Sequence, residues 1–211
     1  HGALWDNASR LDPQIDEVRD LINSEKDYME IALHGVMHMY WTDEGIMKYA
    51  EFYQRHEETG EYKMTPPDII RAHLDAYFEI LRHNSLPTDI KSFIPPCFIY
   101  VYSRKQDHLS AILAEYGIKY ISTPFVSMKY TSQEKPVDAC VENGIITVDR
   151  TRDLISWDVV DAQTPDIVKK SYFGMHWPNF LNKDPEKNME TVARWIKYFE
   201  QYKDNFEILP A

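Results

Sequence analysis

Basic residues and glycine are both scarce in this chain. Its 211 residues carry 23 Lys and Arg against 34 Asp and Glu, a formal net charge of −11 at pH 7. So acidic a chain is a poor partner for a phosphate backbone or an anionic bilayer surface, and neither is expected to bind it. Seven glycines exclude Gly-rich repeats and collagen-like structure. The only two cysteines, Cys97 and Cys140, do not make a disulfide framework. No apolar run reaches the length of a membrane span. Residues His1 to Arg10 show no basic segment leading into an apolar one, so no signal peptide is expected, which favours the cytoplasm.

What is present is ordinary for a globular chain: 44% hydrophobic and 27% charged residues, enough for one domain over residues 1–211. Two periodicities alternate along it. Helical stripes run over Pro13 to Asn23, Glu44 to His56, Thr65 to Leu81, Gln106 to Tyr116, Pro165 to Lys170 and Asn188 to Tyr202. In Thr65-Pro66-Pro67-Asp68, Thr65 is the expected cap and Pro66 the first helical residue. In the last helix the expected inward face is Met189, Val192, Trp195, Ile196 and Phe199. Short apolar runs predict strands at Met29 to Leu33, Ile90 to Ile94, Lys119 to Ser122, Gly144 to Val148, Ser171 to Met175 and Phe206 to Leu209. Gly60 to Met64 reads as a loop, and Ser127 to Asn143 as a polar, irregular excursion. Alternating strands and helices predict an α/β fold with a mostly parallel sheet, whose chemistry sits at the strand ends.

Three segments occupy expected strand ends: His34-Gly35-Val36-Met37-His38, Pro95-Pro96-Cys97 and His176-Trp177-Pro178-Asn179. His34 and His38 are four residues apart, so on one helical turn both imidazoles would face one ion. A divalent metal, zinc first, takes two such nitrogens and needs a further ligand and an open water position for hydrolysis. The same spacing also describes two partly buried histidines at a strand-to-helix junction. His176 is a candidate general acid, or a packed histidine beneath Trp177 that bonds a carbonyl. Trp177 offers an apolar wall or a stacking platform for a sugar ring. His73 lies on an apolar stripe and reads as a satisfied core histidine. His56, His83 and His108 read as solvated. Trp157-Asp158 reads as a core Trp beside a surface Asp.

The run ALHGVMH, residues 32–38, resembles the second motif of the polysaccharide deacetylases (the NodB homology family), in an atypical bacterial branch. Phe93-Ile94-Pro95-Pro96 stands where that family has its third motif, Trp157-Asp158 falls near the fourth, and Phe173-Gly174-Met175-His176 resembles the fifth. The likeness spans roughly residues 29 to 200. It implies a distorted, TIM-barrel-like (β/α) barrel and metal-dependent removal of an N- or O-acetyl group from a carbohydrate. His34 and His38 would hold the metal and His176 would be the catalytic acid, with Trp177, Asn179 and Pro96 touching the sugar.

The family's paired Asp on its first strand has no counterpart in the residues before His34. Only Asp6 could end a strand there, and it is the expected substitute metal ligand. The barrel is therefore expected to lack its first strand, the chain being truncated at its N-terminus. The open edge would suit an oligomer. Phe93 stands in place of the third motif's Arg, and Gly174 in place of the fifth motif's Leu. These departures point to the alternative, a non-catalytic deacetylase-like domain that binds glycan.

Overall fold

The computed structural model describes residues 14–41, 47–56, 58–103, 108–125, 129–130, 140–150, 152–153, 164, 173–174, 176–182 and 184–205. Asp6, Trp157-Asp158, the expected helix at 165–170 and the expected strand at 206–209 lie outside them.

The fold is mixed α/β. Helix α1 is Gln14–Ser24. An antiparallel meander follows, from β1 (Met39–Trp41) and β2 (Met47–Ala50) to β3 (Tyr53–Arg55) and β4 (Tyr62–Met64). Helix α2 (Pro67–His83) leads to β5 (Ser92–Phe93) and β6 (Val101–Tyr102). Helix α3 (Leu109–Glu115) precedes β7 (Tyr120–Thr123), β8 (Lys129–Tyr130), β9 (Cys140–Glu142) and β10 (Ile145–Asp149). Last come β11 (Arg152–Asp153), β12 (Phe173–Gly174) and helix α4 (Asn188–Tyr202).

The sheet that positions the chemistry has the order β5-β7-β10-β9. Strand β7 is parallel to both β5 and β10, and β9 returns antiparallel beside β10. Leu33 extends the parallel edge through a single bridge to Phe93. The expected strand at 29–33 thus shrinks to one residue. Among the described residues this sheet does not close into a barrel. Leu33, Phe93, Ile121 and Ile145 are fully buried along it, packed with Ile70 and Leu74 of α2 and with Leu109, Ile112 and Leu113 of α3. Among the described residues no helix is long and apolar enough to cross a membrane.

Residues 47–55 correct the expected helix. They form a hairpin in which Ala50 pairs with Tyr53 across the turn Glu51-Phe52. Aromatic side chains at positions 49, 52 and 53 favour strands, and the turn residues are 1% and 2% exposed. Hairpin tips normally lie on the surface. This one is driven inward, where Phe52 packs edge-to-face on Phe93 at 5.4 Å.

The same hairpin overrides two neighbouring expectations. Residues 62–64 pair with β3 as a strand rather than forming a loop. Thr65 does not cap α2; its hydroxyl donates to the Glu51 carbonyl at 3.1 Å, and Pro66 occupies the cap position. Pro67 then opens the helix, where its missing N–H costs nothing. Helix α4 keeps its expected limits, but its stripe is turned. Trp195 is buried against Phe180 at 4.8 Å between ring centroids, whereas Met189 and Ile196 are exposed. The largest ring takes the inward position. Within 127–143, β8 pairs with β6 and β9 with β10, so that segment is not wholly irregular.

Candidate functional site

Leu33 is tied into the sheet edge on both sides. Its N–H donates to the Ser92 carbonyl at 2.8 Å, and its carbonyl accepts from Ile94 N–H at 2.9 Å. The chain then leaves the sheet at His34, opposite the point where Pro95-Pro96 ends β5. His34 is fixed there by its own ring, whose Nδ1 lies 2.7 Å from the Ile94 carbonyl. A carbonyl only accepts, so Nδ1 carries a proton, and it is Nε2 that keeps the lone pair in the neutral form of the ring.

Residues 34–38 do not form the expected helical turn. Gly35 has φ +86° and His38 φ +55°, two left-handed residues that fold the segment back on itself. The rings of His34 and His38 nonetheless meet, with centroids 4.8 Å apart and planes at 62°. Burial, and next the neighbouring His34, hold the His38 pKa below its ordinary value. Its imidazole is neutral at neutral pH, as a metal ligand must be.

The fold-back is built around Glu51. Its buried carboxylate accepts from the N–H groups of Val36 at 2.8 Å, Met37 at 2.9 Å and His38 at 3.1 Å. His73 of α2 supplies a fourth contact, Nδ1 to Oε1 at 2.9 Å. Burial resists the charge on Glu51, but the bonds from His73, Val36 and Met37 outweigh it and keep the carboxyl below the usual range. His73 is thus buried and hydrogen-bonded, as its place on an apolar stripe predicts. Glu51 was not singled out by its sequence. The one available signal was a charged residue set within the aromatic run Tyr49-Ala50-Glu51-Phe52-Tyr53.

Pro96 is buried in a 3-10 turn, Pro96–Phe98, that brings Cys97 against the histidines. Its Sγ lies 3.9 Å from His38 Nδ1, and burial pushes the thiol pKa up, so it stays protonated. His176 sits at the mouth of another 3-10 turn, Trp177–Phe180. Its backbone N–H donates to Asn179 Oδ1 at 3.0 Å, and Asn179 N–H donates back to the His176 carbonyl at 2.9 Å. Asn179 is fully buried. His176 Nδ1 is buried and has no hydrogen-bond partner among the described residues, an arrangement native structures rarely leave without a use.

The structure therefore joins His34 to His38 and adds Glu51, His73 and Cys97 around them. His34 and His38 fit a divalent metal of borderline softness. One ring is oriented by a carbonyl and has no partner on its outer nitrogen among the described residues, and the other is neutral. Among the described residues no group of three or more His, Cys, Asp or Glu is arranged to hold a metal.

A second polar cluster is centred on Glu142. Glu142 at the end of β9 accepts from Tyr100 Oη at 2.5 Å, Ser103 N–H at 3.1 Å and Thr147 Oγ1 at 3.1 Å. Tyr53 Oη and His108 Nε2 meet nearby at 3.4 Å. His108 is thus buried rather than solvated.

No protein-family model matches the chain, and comparison with curated proteins finds no match.

Proposed function

We propose that the chain is a metal-dependent hydrolase that removes acetyl groups from a carbohydrate, on a distorted (β/α) barrel of the polysaccharide deacetylase type. One observation carries the reading. Two imidazoles at the end of a parallel sheet edge meet at 4.8 Å, one of them oriented by a backbone carbonyl. The order of segments along the chain supports it, with the His34–His38 pair first, the Pro95-Pro96 turn next and His176 last.

In this reading His34, through Nε2, and His38 hold the metal, zinc first, and Asp6 is the third ligand. When bound, the metal polarises the acetyl carbonyl and lowers the pKa of a water molecule. His176 gives a proton to the leaving amine or alkoxide. Asn179 fixes the His176 backbone, Trp177 supplies the face on which a sugar ring stacks, and the buried Pro96 opens the turn that carries Cys97.

The test is binding and turnover on the full chain. Zinc or Co2+ should bind the wild type with about one equivalent, and His34→Ala and His38→Ala should abolish binding. Hydrolysis of a chromogenic acetyl ester or an acetylated chito-oligosaccharide should stop with a chelator. His176→Ala should lower kcat by about 10²–10⁴. Absence of metal binding together with chelator-insensitive hydrolysis would overturn the proposal. A second reading, a glycan-binding domain without hydrolysis, is favoured by Phe93 and Gly174, which stand where the resembled motifs carry Arg and Leu. Retention on a glycan column without turnover or metal uptake would select it.

A further inference from the structure

We propose that Glu51, with His73 behind it, is a positioning residue that sets the spacing and facing of the His34 and His38 rings. Its consequence for metal affinity rests on the reading above. The positioning itself rests on contacts within this chain.

The two rings are held by different anchors. His34 is pinned by its own Nδ1–H to the Ile94 carbonyl. Among the described residues the His38 ring has no such bond to the sheet; its Nδ1 lies 3.9 Å from Cys97 Sγ, and the His38 carbonyl accepts from the Glu51 N–H at 3.1 Å. The His38 backbone sits at φ +55°, a conformation uncommon outside glycine that neighbouring contacts help to hold. What surrounds it is the Glu51 carboxylate, which receives the N–H groups of three successive residues, 36 to 38. The carboxylate is itself oriented by His73 Nδ1, delivered from α2. The chain from α2 to His38 is thus His73 to Glu51 to backbone, with no exposed link.

A carboxylate satisfies every contact at this place. Oε2 takes contacts from Val36, Met37 and His38, while Oε1 takes Val36 and His73. The three backbone groups are donors, and His73 Nδ1 donates in the tautomer that faces a carboxylate. A Gln amide would keep one acceptor oxygen and turn its NH2 toward a donor. Gly35 belongs to the same device. A Cβ there would collide with Oε2 and lie 2.9 Å from Glu51 Cδ, so the residue that follows His34 is small because the carboxylate fills its side.

The prediction separates positioning from general stability. Glu51→Gln should release His38 while leaving His34 bonded to Ile94. In NMR of the full chain, the His34–His38 ring-to-ring NOE should be lost, and the amides of Val36, Met37 and His38 should exchange at least tenfold faster. The amides of Ile146 and Val148 in β10 should be unchanged, and His34 should keep its Nδ1–H tautomer. Co2+ affinity should fall by about 10–100-fold, the range found when groups that orient metal ligands are removed.

His73→Asn, whose amide nitrogen replaces Nδ1, should stay near wild type, whereas His73→Leu should follow Glu51→Gln. If Glu51→Gln does not fold, this histidine pair decides. Wild-type amide exchange and an intact ring NOE in folded Glu51→Gln, or in His73→Leu, overturn the proposal. Unchanged Co2+ affinity in a variant whose rings have separated overturns the metal reading instead. So does a wild type that binds no Co2+, and the NOE and exchange data still decide the positioning.

Discussion

Gly35 and Glu51 occupy one space between them: the missing side chain of the first is where the carboxylate of the second lies. Gly35→Ala therefore meets two penalties. Its φ of +86° disfavours any Cβ, by about 1–2 kcal/mol. The buried carboxylate cannot swing away without giving up several hydrogen bonds, each worth about 1 kcal/mol. We expect a loss of at least about 2 kcal/mol. Gly144, with φ +81° and no atom within 4 Å of a built Cβ, supplies the control. Gly144→Ala should show the backbone penalty alone. Urea unfolding of the two variants measures the difference, and equal midpoints would count against the contact with Glu51.

Strands β5, β7 and β10 of the sheet were legible because each is a short apolar run beside a stop signal, whereas β9, inside the polar segment 127–143, was not. Pro95-Pro96 ends β5, and Gly144 precedes β10. The hairpin at 47–55 was not, because Ile46, Tyr49, Ala50 and Tyr53 also satisfy a helical spacing. Only the partners of Glu51, more than a dozen residues away, decide between the two. The His34–His38 pairing was legible by spacing, though not by mechanism. The rings meet through two left-handed residues and a buried carboxylate, not through a helical turn. Backbone N–H groups leave no mark in a sequence, so a side chain that binds three of them is invisible until the fold is known. The turned face of α4 has a similar origin, since Trp195 and Ile196 are equally apolar and only Phe180 chooses between them.

Glu142 should be worth more to stability than any one of its donors. Glu142→Leu deprives the Tyr100 hydroxyl, the Ser103 N–H and the Thr147 hydroxyl of one shared acceptor in the interior. At about 1–3 kcal/mol for each buried donor left unmet, the loss should exceed about 3 kcal/mol. Tyr100→Phe removes one donor and leaves Glu142 its others, so about 1–2 kcal/mol is expected. Chemical denaturation gives both numbers. The reverse ranking would mean that Tyr100 acts chiefly by packing.

The His34 ring should be a fixed tautomer in the metal-free protein. With Nδ1 at 2.7 Å from the Ile94 carbonyl, the neutral ring must carry its proton there. Long-range nitrogen–proton correlation spectra should show a pyrrole-type Nδ1 and a pyridine-type Nε2. An averaged or Nε2–H pattern would remove the orientation on which the metal reading depends. Zinc addition should then shift Nε2 and leave Nδ1 nearly unmoved.

Alkali should unfold the protein through its buried phenols. Burial raises the pKa of Tyr77 to about 12, and burial followed by the hydrogen bond to Asp75 does the same for Tyr116. Tyr53 and Tyr100 are pushed well above the ordinary value, again by burial first. The unfolded chain releases these protons near pH 10, while the folded chain keeps them longer. The folded state then binds more protons, so this contribution is constant below about pH 10 and falls as pH rises above it. Tyr53 and Tyr100 each contribute up to about 1.4 kcal/mol per pH unit in that window. Absorbance at the tyrosinate band should show at least these four groups titrating late in the native protein and normally in urea. Midpoints of urea unfolding should drop between pH 10 and 11.5, and Tyr116→Phe should remove one late-titrating group from the native curve. If every native tyrosine titrates near pH 10, the interior around Tyr53 and Tyr100 is wetter than their burial requires, and the decline must come from lysine deprotonation instead.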